Sequence, residues 1–126
     1  MIKPKILIIH PNARLNRSLV THFRRMDRYE VFSSLSHDSS LTMIRSATQK
    51  QRFDIVITHF GGLAIDFKQF VFLTKKASPS TRIMLFCESR NLDGLRFDDA
   101  VFQDGPESIE VLERRVGLLV YSHSRV

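Results

Sequence analysis

Apolar positions along the chain change period several times. Ile6-Leu7-Ile8-Ile9 is a short β-branched run with no polar alternation, the pattern of a strand covered on both faces in a parallel sheet. After His10-Pro11-Asn12, the residues Leu15, Leu19, Phe23 and Met26 recur at steps of four, four and three. They therefore share one helical face, with Asn12 placed to cap it. Tyr29-Glu30-Val31-Phe32 reads as a second, weaker strand, followed by a helix carrying Leu41, Ile44 and Ala47 that Asp38 or Ser39 would cap.

Phe53-Asp54-Ile55-Val56-Ile57-Thr58 is another buried strand, ending where His59-Phe60-Gly61-Gly62 demands a loop. Leu63, Phe67, Phe70 and Val71 follow at helical spacing, and Ile65 and Phe72 point to another side of that helix. Ser78-Pro79-Ser80 ends it, Arg82 to Phe86 makes a fourth strand, and Ala100-Val101-Phe102 a short fifth before Gly105-Pro106. A last helix opens at Glu107 and Ser108 and shows Ile109, Leu112, Val116 and Leu119 in line. Strand and helix thus alternate with short connections, which predicts an α/β fold: one parallel sheet with helices on both faces. Ligands of such sheets sit at the carboxyl ends of the strands.

The 126 residues suit a single domain, 1–126, with residues 122–126 either its end or the start of a linker. Apolar residues at 43% and charged residues at 25% match an ordinary globular chain. No apolar run is long enough to cross a bilayer, and Met1-Ile2-Lys3-Pro4-Lys5 does not open a secretory signal, so no membrane insertion and a cytoplasmic location are expected. The single cysteine, Cys87, excludes an internal disulfide and a zinc site built on several thiolates. The net charge of +6 is uneven: residues 1–52 hold ten bases against three acids, and the remainder nine against ten. Much of the excess lies on the first helix, as Arg14, Arg17, Arg24, Arg25 and Arg28. Such a field attracts nucleic acid, acidic protein or anionic membrane, and its plainest reading is a solvated face.

From end to end these segments resemble the CheY-like (flavodoxin-like) receiver family of two-component signalling. Ile6-Leu7-Ile8-Ile9-His10-Pro11 looks like its first strand and acidic pair, and Phe53 to His59 like the segment ending at the phosphorylated aspartate. The resemblance implies a five-stranded sheet in the order 2-1-3-4-5. It also implies an acidic pair that holds magnesium, an aspartate that accepts phosphate, a hydroxyl residue after strand four and a lysine after strand five. In this chain the acidic pair falls on His10 and Pro11 and the acceptor on His59. The hydroxyl falls on Phe86 or Cys87, next to switch positions at Val101 and Phe102, and the lysine on Asp104 or Gly105. Magnesium prefers hard oxygen ligands, and acyl-phosphate formation needs a carboxylate with a screening cation. Asp54 lies about 16 Å from His59, at the other end of its strand, and cannot substitute.

The expected product is a pseudo-receiver: no enzyme, no cofactor, and a protein-protein interaction or dimerisation module. Its partner would be a signalling protein or a second copy, and nucleic acid would be reached only through an additional domain. The resemblance implies docking on the surface of the helix before strand five, strand five and the last helix, where Arg90, Arg96, Arg114 and Arg115 are the charged candidates. Two alternatives stand beside it. His10 and His59, with Cα atoms about 5 to 7 Å apart at adjacent strand ends, could form a metal- or ligand-sensing site with Cys87 or Glu88. The first helix could serve as a basic adaptor for an acidic protein or nucleic acid. Gly61-Gly62 reads as a turn rather than a phosphate cradle, and Cys87 as a small core residue rather than a nucleophile. Phe60, Phe72 and Phe97 fall where a receiver could expose them to a partner.

Overall fold

A computed structural model describes residues 3–47, 52–59, 64–88, 92–103 and 107–122. Nine elements alternate along it: β1 (Lys5–Ile9), α1 (Ala13–Arg25), β2 (Glu30–Ser34), α2 (His37–Ser46), β3 (Ile55–Thr58), α3 (Ala64–Ala77), β4 (Arg82–Cys87), β5 (Asp99–Phe102) and α4 (Ser108–Ser122). The strands form one sheet in the order β2-β1-β3-β4-β5, and every pairing is parallel. This is the doubly wound arrangement expected from the alternation.

The sheet is buried on both faces because its central strands carry apolar residues at all positions but Lys5, Thr58 and Arg82. Ile6, Ile8, Ile55, Ile57, Met84 and Phe86 pack on one face with Leu19 and Phe23 of α1 and Leu112 and Val116 of α4. Leu7, Ile9 and Val56 face the other way, against Ile44 of α2 and Phe70 of α3. Ile83, Leu85 and Cys87 continue that second face under Phe67 and Val71. A run without alternation is thus divided evenly between two helical layers by the period of two.

Helix starts follow side-chain oxygens. Asn12 Oδ1 accepts from the backbone N–H of Arg14 and Leu15 at 3.0 and 3.1 Å and caps α1. The cap of α2 is Ser36, which accepts from Ser39 N–H at 3.1 Å; Asp38 and Ser39, expected there, lie inside the first turn. Ala47 is the C-terminal cap of α2 rather than part of it. Asp54 ties the opposite end of the sheet together: its carboxylate accepts from Lys5 N–H at 2.8 Å, and its backbone bonds to Lys5 and Arg82. Thr81 Oγ1 does the same between α3 and β3, donating to the Phe53 carbonyl at 2.7 Å while Ser78 Oγ lies 2.6 Å away.

One expected element differs. Between β4 and β5 the described residues 92–98 form a turn and irregular chain, not a helix. Leu92, Leu95 and Phe97 of this segment pack on the cluster around Phe67 and Val71. Gly94, at φ +81°, makes the turn in the left-handed region that favours glycine. The docking surface that the resemblance implies therefore lacks its helix among the described residues.

Candidate functional site

The carboxyl ends of β1 and β3 lie side by side, since Ile9 is in register with Thr58. The next residue on each strand is a histidine, and the His10 and His59 ring centroids are 4.4 Å apart with planes tilted by 53°. Alternation along the strands places both on the face of α1 and α4, the side that holds Ile8 and Ile57.

His10 is buried, with 5% exposure. Its Nδ1 accepts the backbone N–H of Asn12 at 3.0 Å, so the neutral ring carries its proton on Nε2. Its backbone is also fixed: His10 N–H donates to the Ser34 carbonyl at 3.3 Å, and Asn16 Nδ2 donates to the carbonyls of His10 and Ser34 at 3.3 and 2.9 Å. Burial pushes the His10 pKa from 6.5 down to about 4; the neighbouring His59 lowers it further, and the Gln103 side chain acts in the opposite direction. Ring Nε2 and Gln103 Oε1 are buried atoms that close no hydrogen bond with the described residues. Gln103 is the first residue after β5, held there by its N–H to the Cys87 carbonyl at 2.8 Å. Sequence reading placed the strand-five position on Asp104 or Gly105, which lie outside the described residues, and passed over Gln103. The strand's end at Phe102 is the signal that would have found it.

The remaining candidates separate by face. Cys87 is fully buried and packs with Phe67, Val71, Ile83 and Leu85 on the α3 side. The predicted trio of His10, His59 and Cys87 is therefore corrected: the sheet lies between the thiol and the imidazole pair, because Cys87 and Phe86 alternate across β4. Among the described residues, no three His, Cys, Asp or Glu side chains could hold a metal ion together. Phe86 and Val101 face the α1 and α4 layer, Phe102 is 42% exposed, and Pro11 is exposed. Imidazoles, a proline and a neutral amide do not suit magnesium, which the resemblance implies at this rim. Thr58 faces α2, where His37 Nε2 lies 2.8 Å from its hydroxyl and stacks on Phe70.

Of the arginines expected at an interface, Arg96 and Arg114 are exposed. Arg115 is exposed as well and makes a paired contact to Asp99, at 2.8 and 2.9 Å, joining α4 to β5. Arg90 lies outside the described residues, as do Phe60, Gly61, Gly62 and Leu63. Phe72 is 65% exposed, whereas Phe97 packs on the core.

The chain matches no family model and no curated protein. Its likeness is to solved structures. The chemotaxis response regulator CheY4 of Vibrio cholerae shares 17% identity at a TM-score of 0.71, covering 91% of this chain and 99% of that one. The receiver domain of the Francisella response regulator 1452 shares 16% at 0.77, covering 96% and 99%. A CheY-like receiver domain protein from Methanospirillum hungatei shares 13% at 0.77, covering 99% and 100%. The fold is the receiver fold. At these identities the likeness is one of architecture, and it places the His10 and His59 pair at the carboxyl rim of the receiver sheet. No helix among the described residues is long and apolar enough to cross a membrane.

Proposed function

We propose that the chain is a receiver-type module of a two-component-type regulatory protein that works by binding a protein partner or a second copy, without phosphorylation and without enzymatic activity. The observation that carries this reading is the imidazole pair at the rim of β1 and β3, with rings 4.4 Å apart and His10 buried and neutral. A phosphoryl acceptor of the acyl-phosphate type needs a carboxylate, and its divalent cation needs oxygen ligands. The two imidazoles and Pro11 supply neither, and Gln103 offers one neutral amide oxygen and no carboxylate. Without a phosphoryl ligand to favour one conformation, regulation comes from differential partner binding.

The test is treatment of the purified protein with acetyl phosphate and magnesium, read by intact mass. An unchanged mass, with a partner or self-association retained in the absence of phosphodonor, is the expected result. A magnesium-dependent gain of one phosphoryl group overturns the reading.

A further inference from the structure

Residues 92–98, the described part of the β4–β5 connection before β5, leave one flank of α3 uncovered. Leu92, Leu95 and Phe97 cover the inner part of that flank, above Phe67 and Val71, but Phe72 stands outside them at 65% exposure. Beside it runs a groove of about 590 Å³, lined by Lys68, Val71, Phe72, Lys75, Lys76 and Arg96, with Gly94 at its edge. Its floor is apolar, and every charged residue among the described ones that line it is a cation. Lys75 is satisfied, donating to the Thr81 carbonyl at 2.6 Å and to Asp98 at 3.2 Å. Lys68, Lys76 and Arg96 form no ion pair with any described residue.

We propose that this groove is a docking site for an acidic amphipathic segment of a protein partner, with an apolar side chain seated against Phe72 and Val71 and carboxylates on Lys68, Lys76 and Arg96. Charge complementarity selects an anion, and the distribution of charge selects its shape. Lys68 and Lys76 are eight residues apart on one helix, about 12 Å at 1.5 Å per residue, so a single small headgroup cannot meet both. An amphipathic helix carries acids over that length beside an apolar stripe. A nucleic acid would satisfy the cations yet leave the apolar floor without a matching surface. This proposal deepens the binding-module reading and rests on it, but it concerns α3 and the β4–β5 connection, away from the histidine pair.

Fluorescence anisotropy with a labelled synthetic peptide of about fourteen residues, four helical turns, tests it. The peptide has leucines at i, i+3, i+4 and i+7 and glutamates on the other face. Its controls are a scrambled peptide of the same composition, a single-stranded oligonucleotide, and vesicles of phosphatidylserine and phosphatidylcholine. Binding with a Kd on the order of 10 μM is expected, together with amide shifts confined to α3 and residues 92–98. Phe72→Ala should weaken it about tenfold with an unchanged thermal midpoint, since the ring is mostly exposed. The double variant K68E/K76E should lose most of the binding and its salt dependence. Absence of peptide binding, equal binding of the scrambled peptide, indifference to Phe72→Ala, or tighter capture of the oligonucleotide or vesicles overturns the proposal. The phosphodonor experiment does not depend on this groove, so a phosphorylated protein refutes the binding-module reading while a silent peptide refutes only the docking site.

Discussion

His10 shows how one side chain is set by its backbone. Because Nδ1 accepts from Asn12 N–H, protonating the ring means breaking that bond inside a buried site beside a second imidazole. The native pKa of about 4 lies below the ordinary 6.5, so between these values the unfolded chain binds a proton that the folded one refuses. The contribution of this group is full above pH 6.5 and is lost as the pH falls toward 4. The urea midpoint should therefore drop across that window in the parent protein and fall less steeply in His10→Gln; equal slopes would show that His10 is not the group responsible. Asn16 is the companion case. It is a polar residue buried on the apolar face of α1, where its amide closes the carbonyls of His10 and Ser34. Nothing in the spacing of Leu15, Leu19 and Phe23 marks it, because its role depends on a carbonyl eighteen residues away in β2.

At the scale of elements, local chemistry decides where helices begin and long-range packing decides whether they form. The two bonds that Asn12 accepts answer orphan N–H groups at the start of α1. Asn12→Ala should cost about 1 kcal/mol, measured by urea unfolding, with the fold retained. A loss within experimental error would mean that water caps the helix as well. The far end of α1 uses Asp27 at φ +53°, a left-handed position taken without glycine, its N–H bonded to the Arg24 carbonyl at 3.2 Å. The β4–β5 connection is the opposite case. Leu92, Leu95 and Phe97 have the apolar content of a packed element but not the spacing of one, and Gly94 interrupts them. The segment packs as irregular chain, and the flank of α3 that it leaves open is what gives Phe72 its exposure.

Across the whole molecule, one sheet serves two apolar layers, so both should unfold together. Ile8 is fully buried in β1, an interior strand, beneath α1 and α4. Ile8→Ala should cost about 2–5 kcal/mol through lost burial and the cavity left behind. The transition should remain single, with backbone circular dichroism and the fluorescence of buried Tyr29 coinciding. Separate transitions would show that the two layers are independent. The positive charge has no comparable unity. Arg14, Arg17 and Arg25 line a cleft of mixed polarity beside Ile109, while Lys68, Lys76 and Arg96 border a mostly apolar groove on α3.

The order of strands and helices, the double burial of β1, β3 and β4, the Asn12 cap and the placing of His10 and His59 at neighbouring strand ends are all legible in the chain itself. They depend on residue type and on spacing within one element, where the periods of two and 3.6 are set by backbone geometry. Only the tertiary structure decided which face each strand-end residue takes, and so parted Cys87 from the histidines and brought Gln103 to His10. It alone uncovered the basic groove along α3. These are relations between residues on different strands and helices, and sheet register and packing, rather than any local pattern, determine them.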